Sequence, residues 1–197
     1  MRRFIAATLA LLLSASPMLL ARAAPAGTAA RTPVLDHDYR RLAQRGPVNL
    51  ARAHAGHVLL VVNTASKCGF TPQYEGLEAL HQQLSPRGFA VIGFPSNDFR
   101  QQEPEDEQQI AQFCTLTYGV RFPMYEKVRV TGPEATGLYR QLTAATGVAP
   151  GWNFHKYVVG RDGTVRAQFS SRVGPDAPQL RAAIEQALAE PVPARSR

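Results

Sequence analysis

The sequence predicts an α/β fold in which a central mixed β-sheet is flanked by helices on both faces. Two observations lead to this prediction. The segments 57–63 and 89–94 are short, apolar and rich in β-branched residues, which is typical of strands buried on both faces. The segment between them carries apolar residues at helical spacing. The three segments therefore form a parallel strand–helix–strand unit with a right-handed crossover.

The other elements follow from the same patterns. Thr71 is expected to cap the first helix, with Pro72 in its first turn, and Gly119 to end the second helix. After the second strand, the sequence predicts a helix at 105–118, a strand at 124–130, a helix at 135–144, a hairpin of strands 156–159 and 164–169, and a last helix at 178–189. The order β-α-β-α-β-α-β-β-α is compatible with a thioredoxin-like fold.

The N-terminal residues 1–23 have the features of a secretory signal peptide. Arg2 and Arg3 precede an apolar stretch at 4–20, which is followed by the cleavage pattern Ala21-Arg22-Ala23. A membrane anchor is the alternative, but the polar interruptions of the stretch and the cleavage pattern favour a signal peptide. We therefore expect an exported, periplasmic protein without stable membrane insertion.

The mature chain is expected to contain one domain at 34–190, between a flexible leader at 24–33 and a loose tail at 191–197. Removal of the three signal-peptide arginines lowers the formal charge from +7 to +4. The remaining basic residues are scattered, so nucleic acid is not an expected partner. The five histidines and two cysteines show no spacing typical of metal ligands, and no cofactor or metal is expected.

Cys68 is the first candidate for chemistry. It follows the first predicted strand and precedes a helix, and both the helix N-terminus and Lys67 favour its reactive thiolate form. Residues 68–71 resemble a C-x-x-C redox motif in which Thr71 replaces the second cysteine. Because disulfide exchange needs both cysteines, a single attacking thiol remains, and peroxide oxidises such a thiol to sulfenic acid.

Cys114, the second cysteine, lies on the apolar face of the second predicted helix. Its residue type alone favours a small buried hydrophobic side chain. In an exported protein, Cys68 and Cys114 are also compatible with one static structural disulfide.

Three motifs closely resemble, in the same order, those of glutathione peroxidases. They are residues 61–74, residues 93–99 together with 102–104, and residues 152–154. The resemblance extends over about 34–189, most of the mature chain. The chain departs from the family pattern at Ser96, Asp98, Arg100, Glu105 and Gly151.

This resemblance implies that Cys68 is the peroxidatic residue and that Gln102, Trp152 and Asn153 complete the active site. The side chains of these three residues all carry N–H donors. Donors arranged in advance around a developing charge stabilise the thiolate and hold the peroxide oxygens.

The surroundings of Cys114 resemble the non-animal branch of the family, in which the matching cysteine resolves the sulfenic acid. The resemblance thus implies a Cys68–Cys114 disulfide that a thioredoxin-like protein or glutathione reduces. A disulfide requires Cα atoms within about 7 Å. A cysteine inside a separate helix is not expected to meet that condition, so we expect the helix around Cys114 to unwind locally during turnover.

The predicted function is therefore a thiol peroxidase that reduces hydrogen peroxide and organic hydroperoxides, with lipid hydroperoxides as candidate substrates. The interval at 144–151 is short, whereas tetrameric members of the family carry an insertion near it, so a monomer is expected. Two alternatives are a disulfide-stapled, non-enzymatic binding domain and a thiol–disulfide oxidoreductase. Thr71 argues against the second.

Overall fold

The computed structural model describes residues 33–193, in which strands and helices alternate. The strands are β1 (Asp38–Arg40), β2 (Pro47–Asn49), β3 (Val58–Thr64), β4 (Phe89–Pro95), β5 (Lys156–Val159) and β6 (Val165–Phe169). The helices are α1 (Leu50–Ala53), α2 (Gln73–Leu84), α3 (Glu107–Tyr118), α4 (Gly137–Thr146) and α5 (Pro178–Ala189). The predicted signal peptide, most of the leader and residues 194–197 of the tail lie outside the described residues.

The main sheet has the strand order β4-β3-β5-β6. Strands β3 and β4 are parallel and are joined through α2, whereas β5 is antiparallel to β3 and β6 is antiparallel to β5. At the centre, Val61 of β3 lies opposite Ile92 on one side and Tyr157 on the other. The prediction of a mixed sheet is confirmed.

Two apolar cores lie on the two faces of this sheet because successive side chains of a strand point in opposite directions. Leu60 and Val62 belong to the core that packs against α2, α3 and α5. Leu59 and Val61 belong to the core that contains apolar residues of α1 and α4. Every residue of β3 and β4 is buried. The prediction of helices on both faces is confirmed, and α5 has the predicted bounds.

The predicted strand at 124–130 is wrong. Met124 and Tyr125 form only isolated bridges, to Gly93 and Arg41 respectively. The backbone bonds of this segment are divided between two neighbours: Tyr125 N donates to Gly93 O at 2.8 Å, and Glu126 N donates to Arg40 O at 3.0 Å. A segment that alternates between partners in this way cannot form a continuous ladder.

The hairpin of β1 and β2 and the one-turn helix α1 were not predicted. Each contains only three or four residues, which is too short for a period of apolar residues to be recognised. Within residues 33–193, no helix has both the length and the apolar character needed to cross a membrane.

Candidate active site

Residues 65–72 connect β3 to α2 and are called the Cys68 loop, which is closed by Thr71. The Thr71 hydroxyl donates to Ala65 O at 2.9 Å and accepts from Cys68 N at 3.1 Å. Within the loop, Phe70 N donates to Cys68 Sγ at 3.4 Å, so a backbone amide already faces the sulfur. The prediction that Thr71 caps α2 is wrong, because its hydroxyl closes the loop and Pro72 takes the N-cap position.

Cys68 is 8% exposed and belongs to the apolar core on the α2 side of the sheet, against which Trp152 also packs. The sequence predicted that the charge of Lys67 favours the thiolate form of Cys68, and the structure corrects this prediction. The Lys67 ammonium forms an ion pair with Glu105, and its side chain is 58% exposed. Its charge is therefore directed to the surface and compensated there, which weakens its effect on the thiol.

Gln102 and Asn153 meet at the site although they are far apart in sequence. Asn153 Nδ2 donates to Gln102 Oε1 at 2.9 Å. The backbone of Gln102 is fixed to the Cys68 loop, because Lys67 N donates to Gln102 O at 2.9 Å. Because Asn153 binds the carbonyl oxygen of the Gln102 side chain, the NH₂ group of that side chain remains available as a donor. The two residues thus form an amide pair beside the loop.

The end of β3 fixes the third motif. Asn63 Nδ2 donates to Trp152 O at 3.1 Å, and Phe154 N donates to Asn63 O at 2.6 Å. The Trp152 ring is half-buried, and the Arg100 guanidinium carbon lies 5.5 Å from its centre. The structure therefore brings Gln102, Trp152 and Asn153 to the end of the strand that leads into the Cys68 loop.

Lys156 is a buried charge that sequence reasoning missed. Its side chain is 0% exposed, and its ammonium donates to Phe154 O at 2.7 Å. Phe154 has a φ of 65°, an uncommon conformation for a residue with a Cβ. Burial lowers the pKa of Lys156 to about 7. The only sequence signal was a lysine at the start of a predicted strand next to the third motif.

Cys114 lies inside α3 and is 2% exposed, and both it and Cys68 are free thiols. Burial is the largest cause that raises the pKa of Cys114, to about 11, and the nearby charge of Glu103 adds to it. The Cys114 thiol is therefore neutral in this conformation. The structure does not join it to Cys68.

Glu103, the residue after Gln102, belongs to the second sequence motif, and the sequence predicted no role for it. Its side chain is 0% exposed. Ser66 Oγ donates to Glu103 Oε2 at 3.1 Å, and the Glu103 amide donates to Asn97 Oδ1 at 2.9 Å. Burial raises the pKa of Glu103 to about 7. The usable signal in the sequence was an acidic residue directly after Gln102 in the second motif, whereas its burial is seen only in the structure.

A cleft of about 480 Å³ opens beside the loop. Its lining residues are Phe70, Arg100, Gly151, Trp152, His155, Ser170, Ser171 and Arg172. The cleft combines the aromatic rings of Phe70 and Trp152 with the guanidinium groups of Arg100 and Arg172. Among the described residues, no three His, Cys, Asp or Glu side chains converge as metal ligands would.

The fold and the site define a protein of the thioredoxin fold in which the redox-motif loop holds one cysteine, Cys68. The family model for glutathione peroxidase matches residues 37–143, and the chain belongs to the glutathione peroxidase family. It is therefore a thiol peroxidase, in the enzyme class EC 1.11.1. This identification excludes the non-enzymatic binding domain considered above.

Curated relatives and solved structures agree with the assignment. The chain is 48% identical over 155 residues to hydroperoxy fatty acid reductase gpx1 of Synechocystis sp., covering 72% of this chain and 88% of that protein. It is 43% identical over 169 residues to thioredoxin/glutathione peroxidase BtuE of Escherichia coli, covering 74% and 92%. The crystal structure of Trgpx in apo form is similar, with a TM-score of 0.66, 33% identity and coverage of 82% and 99%.

Proposed function

We propose that this enzyme reduces hydrogen peroxide and organic hydroperoxides in two chemical steps. In the first, the Cys68 thiolate attacks the O–O bond, releases water or an alcohol and becomes a sulfenic acid. In the second, Cys114 condenses with the sulfenic acid to give a Cys68–Cys114 disulfide and water. A thioredoxin-like protein or glutathione then reduces the disulfide by thiol exchange.

The observation that carries the proposal is the position of the Gln102–Asn153 amide pair beside a loop that holds one thiol. Lys67 N binds Gln102 O, which fixes the pair to the same loop as Cys68. Thr71 fills the position of a second motif cysteine and is fully used in closing the loop. The site thus provides donors for a thiolate and a peroxide but no neighbouring thiol for exchange.

The geometry suggests different roles for the two amides. Gln102 presents its NH₂ group, which suits a donor to the thiolate or to the peroxide. Asn153 is completely buried and uses one N–H to hold Gln102 Oε1. We assign Asn153 as a positioning residue for Gln102, and Trp152 as the indole donor at the mouth of the cleft.

The second step requires Cys114 to leave α3, and the packing of that helix supports local unwinding. At its N-terminal end, Asp106 and Gln109 form a capping box, and the Glu107 carboxylate accepts two hydrogen bonds from Arg40, at 3.0 and 3.1 Å. The C-terminal half is held less firmly. Leu116 is 83% exposed, and a hollow of about 380 Å³ adjoins Cys114.

The cleft beside the site supports organic hydroperoxides as substrates. Phe70 and Trp152 supply apolar surface for the organic part of the molecule, and Arg100 and Arg172 supply positive charge. The similarity to a protein named hydroperoxy fatty acid reductase favours long-chain hydroperoxides within this class. We expect a lipid hydroperoxide to be a better substrate than hydrogen peroxide in terms of kcat/KM.

The reductant and the compartment belong to the same proposal. The similarity to a thioredoxin/glutathione peroxidase supports a thioredoxin-like protein or glutathione as the donor. The N-terminal pattern supports export to the periplasm after cleavage behind Ala23. We propose one domain at 34–190 that acts as a monomer. N-terminal sequencing of the exported protein tests the cleavage behind Ala23, and light scattering tests the monomer.

A peroxidase assay tests the function as a whole. Purified protein is mixed with hydrogen peroxide or a fatty acid hydroperoxide, and turnover is followed with thioredoxin or with glutathione as the donor. We expect Cys68→Ser to abolish turnover. Cys114→Ser should still form the sulfenic acid but lose turnover with thioredoxin. Full activity of Cys68→Ser would contradict the assignment of the attacking thiol, and full thioredoxin-dependent activity of Cys114→Ser would contradict the disulfide.

A further inference from the structure

A largely buried group of polar side chains extends from the Cys68 loop to α3. Its members are Thr64, Ser66, Tyr74, Glu103 and Cys114. Among the described residues, Thr64 Oγ1, Tyr74 Oη and Glu103 Oε1 have no partner at full hydrogen-bond geometry, although each is buried. Unpartnered polar atoms in a core are costly, so their presence together calls for an explanation.

Glu103 couples the two halves of the proposed catalytic cycle. Its Oε2 atom accepts from Ser66, two residues before Cys68, which holds the carboxyl group beside the Cys68 loop. On the other side, its charge raises the pKa values of both Cys114 and Tyr74. The carboxyl group is therefore fixed beside the Cys68 loop and acts electrostatically on the buried groups of α2 and α3, to which Tyr74 and Cys114 belong.

The resolving step needs a proton acceptor. Cys114 has a pKa of about 11 in α3. At neutral pH, only about one thiol in ten thousand with that pKa is a thiolate, which is the nucleophilic form. No lysine or histidine is among the groups that affect the pKa of Cys114, whereas Glu103 and Tyr74 are.

The protonation behaviour of Glu103 suits this task. Burial raises its pKa to about 7, while the Ser66 hydroxyl and the charge of Lys127 act in the opposite direction and Glu105 raises it slightly. The group can both accept and release a proton near neutral pH, which is the property of an efficient general base and acid.

Taking the proposed Cys68–Cys114 disulfide as given, we propose that Glu103 accepts the thiol proton of Cys114 as Cys114 attacks the Cys68 sulfenic acid. The Cys114 sulfur forms the S–S bond, and the S–O bond of the sulfenic acid breaks. The departing hydroxide takes up the proton that Glu103 received and leaves as water. The Cys68 sulfur is reduced and the Cys114 sulfur is oxidised, so electrons and protons balance without another reactant.

Glu103→Gln tests the inference, because glutamine keeps the shape and an acceptor for Ser66 but cannot take up a proton. The two steps are measured separately in the full-length mature enzyme. Stopped-flow mixing with hydrogen peroxide and trapping with dimedone report sulfenic acid. Acid quenching followed by mass spectrometry reports the disulfide. Glu75→Gln, the same substitution at an exposed position of α2, is the matched control.

We expect Glu103→Gln to form sulfenic acid within about twofold of the wild-type rate and to close the disulfide about 100-fold more slowly. Glu75→Gln should close it at the wild-type rate. In the wild type, the closure rate should rise with pH and level off above pH 7.5, because the carboxyl group has a pKa of about 7. An unassisted thiol with the ordinary pKa of about 8.5 would instead give a closure rate that continues to rise up to about pH 8.5.

The outcomes separate this inference from the function on which it rests. A wild type that forms no sulfenic acid would overturn the proposed function. Normal sulfenic acid formation with equally fast closure in Glu103→Gln would overturn the role of Glu103 alone. If that variant fails to fold, the wild-type pH profile decides, and a rise without levelling would overturn the role of Glu103.

Discussion

The buried ammonium of Lys156 donates to the carbonyl oxygen of Phe154, the residue that turns the chain with a φ of 65°. This turn directly follows Trp152 and Asn153 and is separated from β5 by His155. A positive φ in a bulky residue costs about 1–2 kcal/mol, so it persists only where its surroundings hold it. Lys156 and Asn63 bind the carbonyl and the amide of the same residue and thereby hold the third motif in place.

The buried Lys156 predicts a particular dependence of stability on pH. Its pKa is about 7 in the folded protein against 10.5 as the ordinary value. Between these pH values the unfolded chain binds more protons, so the free energy of unfolding rises with pH. From pH 7 to 9 this one group should add about 2 kcal/mol. Urea denaturation of the wild type and of Lys156→Met measures the difference.

The Lys156→Met variant should lack this part of the rise, since methionine does not titrate. Lys67→Met removes an exposed ammonium and serves as the control, which should keep the rise. Equal pH dependence in the wild type and in Lys156→Met would show that the Lys156 ammonium is not the group that titrates in this window.

The Gln102–Asn153 pair predicts that substitutions at the two positions are not additive. Gln102→Ala removes the donor and should lower the rate of sulfenic acid formation by about 100-fold, as the loss of one preorganised donor does elsewhere. Asn153→Ala should lower the rate by freeing Gln102, and the double variant should be no slower than Gln102→Ala. Stopped-flow kinetics with hydrogen peroxide measure all three.

The control for this cycle is Gln108→Ala, which removes an exposed amide on α3 and should leave the rate unchanged. Effects of Gln102→Ala and Asn153→Ala that multiply in the double variant would mean that Asn153 contacts the reacting atoms itself.

Glu78 anchors the segment that follows α3. We therefore expect its removal to lower the stability of the protein and to speed disulfide closure. Its Oε2 atom accepts from Arg121 N at 2.8 Å and from Phe122 N at 3.0 Å. Loss of hydrogen bonds to a buried carboxylate costs about 1–3 kcal/mol, so Glu78→Ala should lower the free energy of unfolding by that amount. It should also speed closure, because the end of α3 is released.

Denaturation and quenched-flow mass spectrometry of Glu78→Ala measure the two effects. Glu75→Ala on the exposed side of the same helix is the control, with a change in stability within about 0.5 kcal/mol. Slower closure in Glu78→Ala would mean that this anchor guides Cys114 toward Cys68 and does not restrain it.

Hydrogen exchange should show which part of α3 unwinds. We expect the amides of 112–119 to exchange at least about 100-fold faster in the oxidised enzyme than in the reduced one. The Ile110 amide, which donates to Asp106 O at 3.0 Å, should stay protected because Arg40 and Glu107 hold that end of the helix. Peroxide-treated Cys114→Ser should show no such change, and loss of protection along the whole helix would contradict unwinding that is confined to the C-terminal half of α3.

Part of this molecule was predictable from short stretches of sequence. Strands at 57–63 and 89–94 and the last helix were found within a residue or so of their observed bounds, because each carries its own periodic pattern. Helix α3 was also found, but it begins two residues later than expected, since Asp106 forms its cap. The motif residues were found because they occur in three recognisable groups.

Other features depend on residues that meet only in the folded chain. Asn153 and Gln102 are 51 positions apart, so no local pattern could show that one amide holds the other. The failed strand at 124–130 has a suitable composition, but its backbone is shared between β4 and the segment near Arg40. Thr71 looked like a helix cap until its hydroxyl was found to close the Cys68 loop.

The sequence by itself therefore determined the order of the elements from β3 onward, apart from the failed strand at 124–130, together with the candidate attacking thiol at Cys68 and the family. The tertiary structure decided the chemistry around that thiol: the burial of Lys156 and Glu103, the effect of the Glu103 charge on the pKa of Cys114, and the compensation of Lys67 by Glu105. The physical reason is that periodicity and turn chemistry act over a few residues. Burial, charge pairing and pKa shifts arise from long-range contacts that exist only after folding.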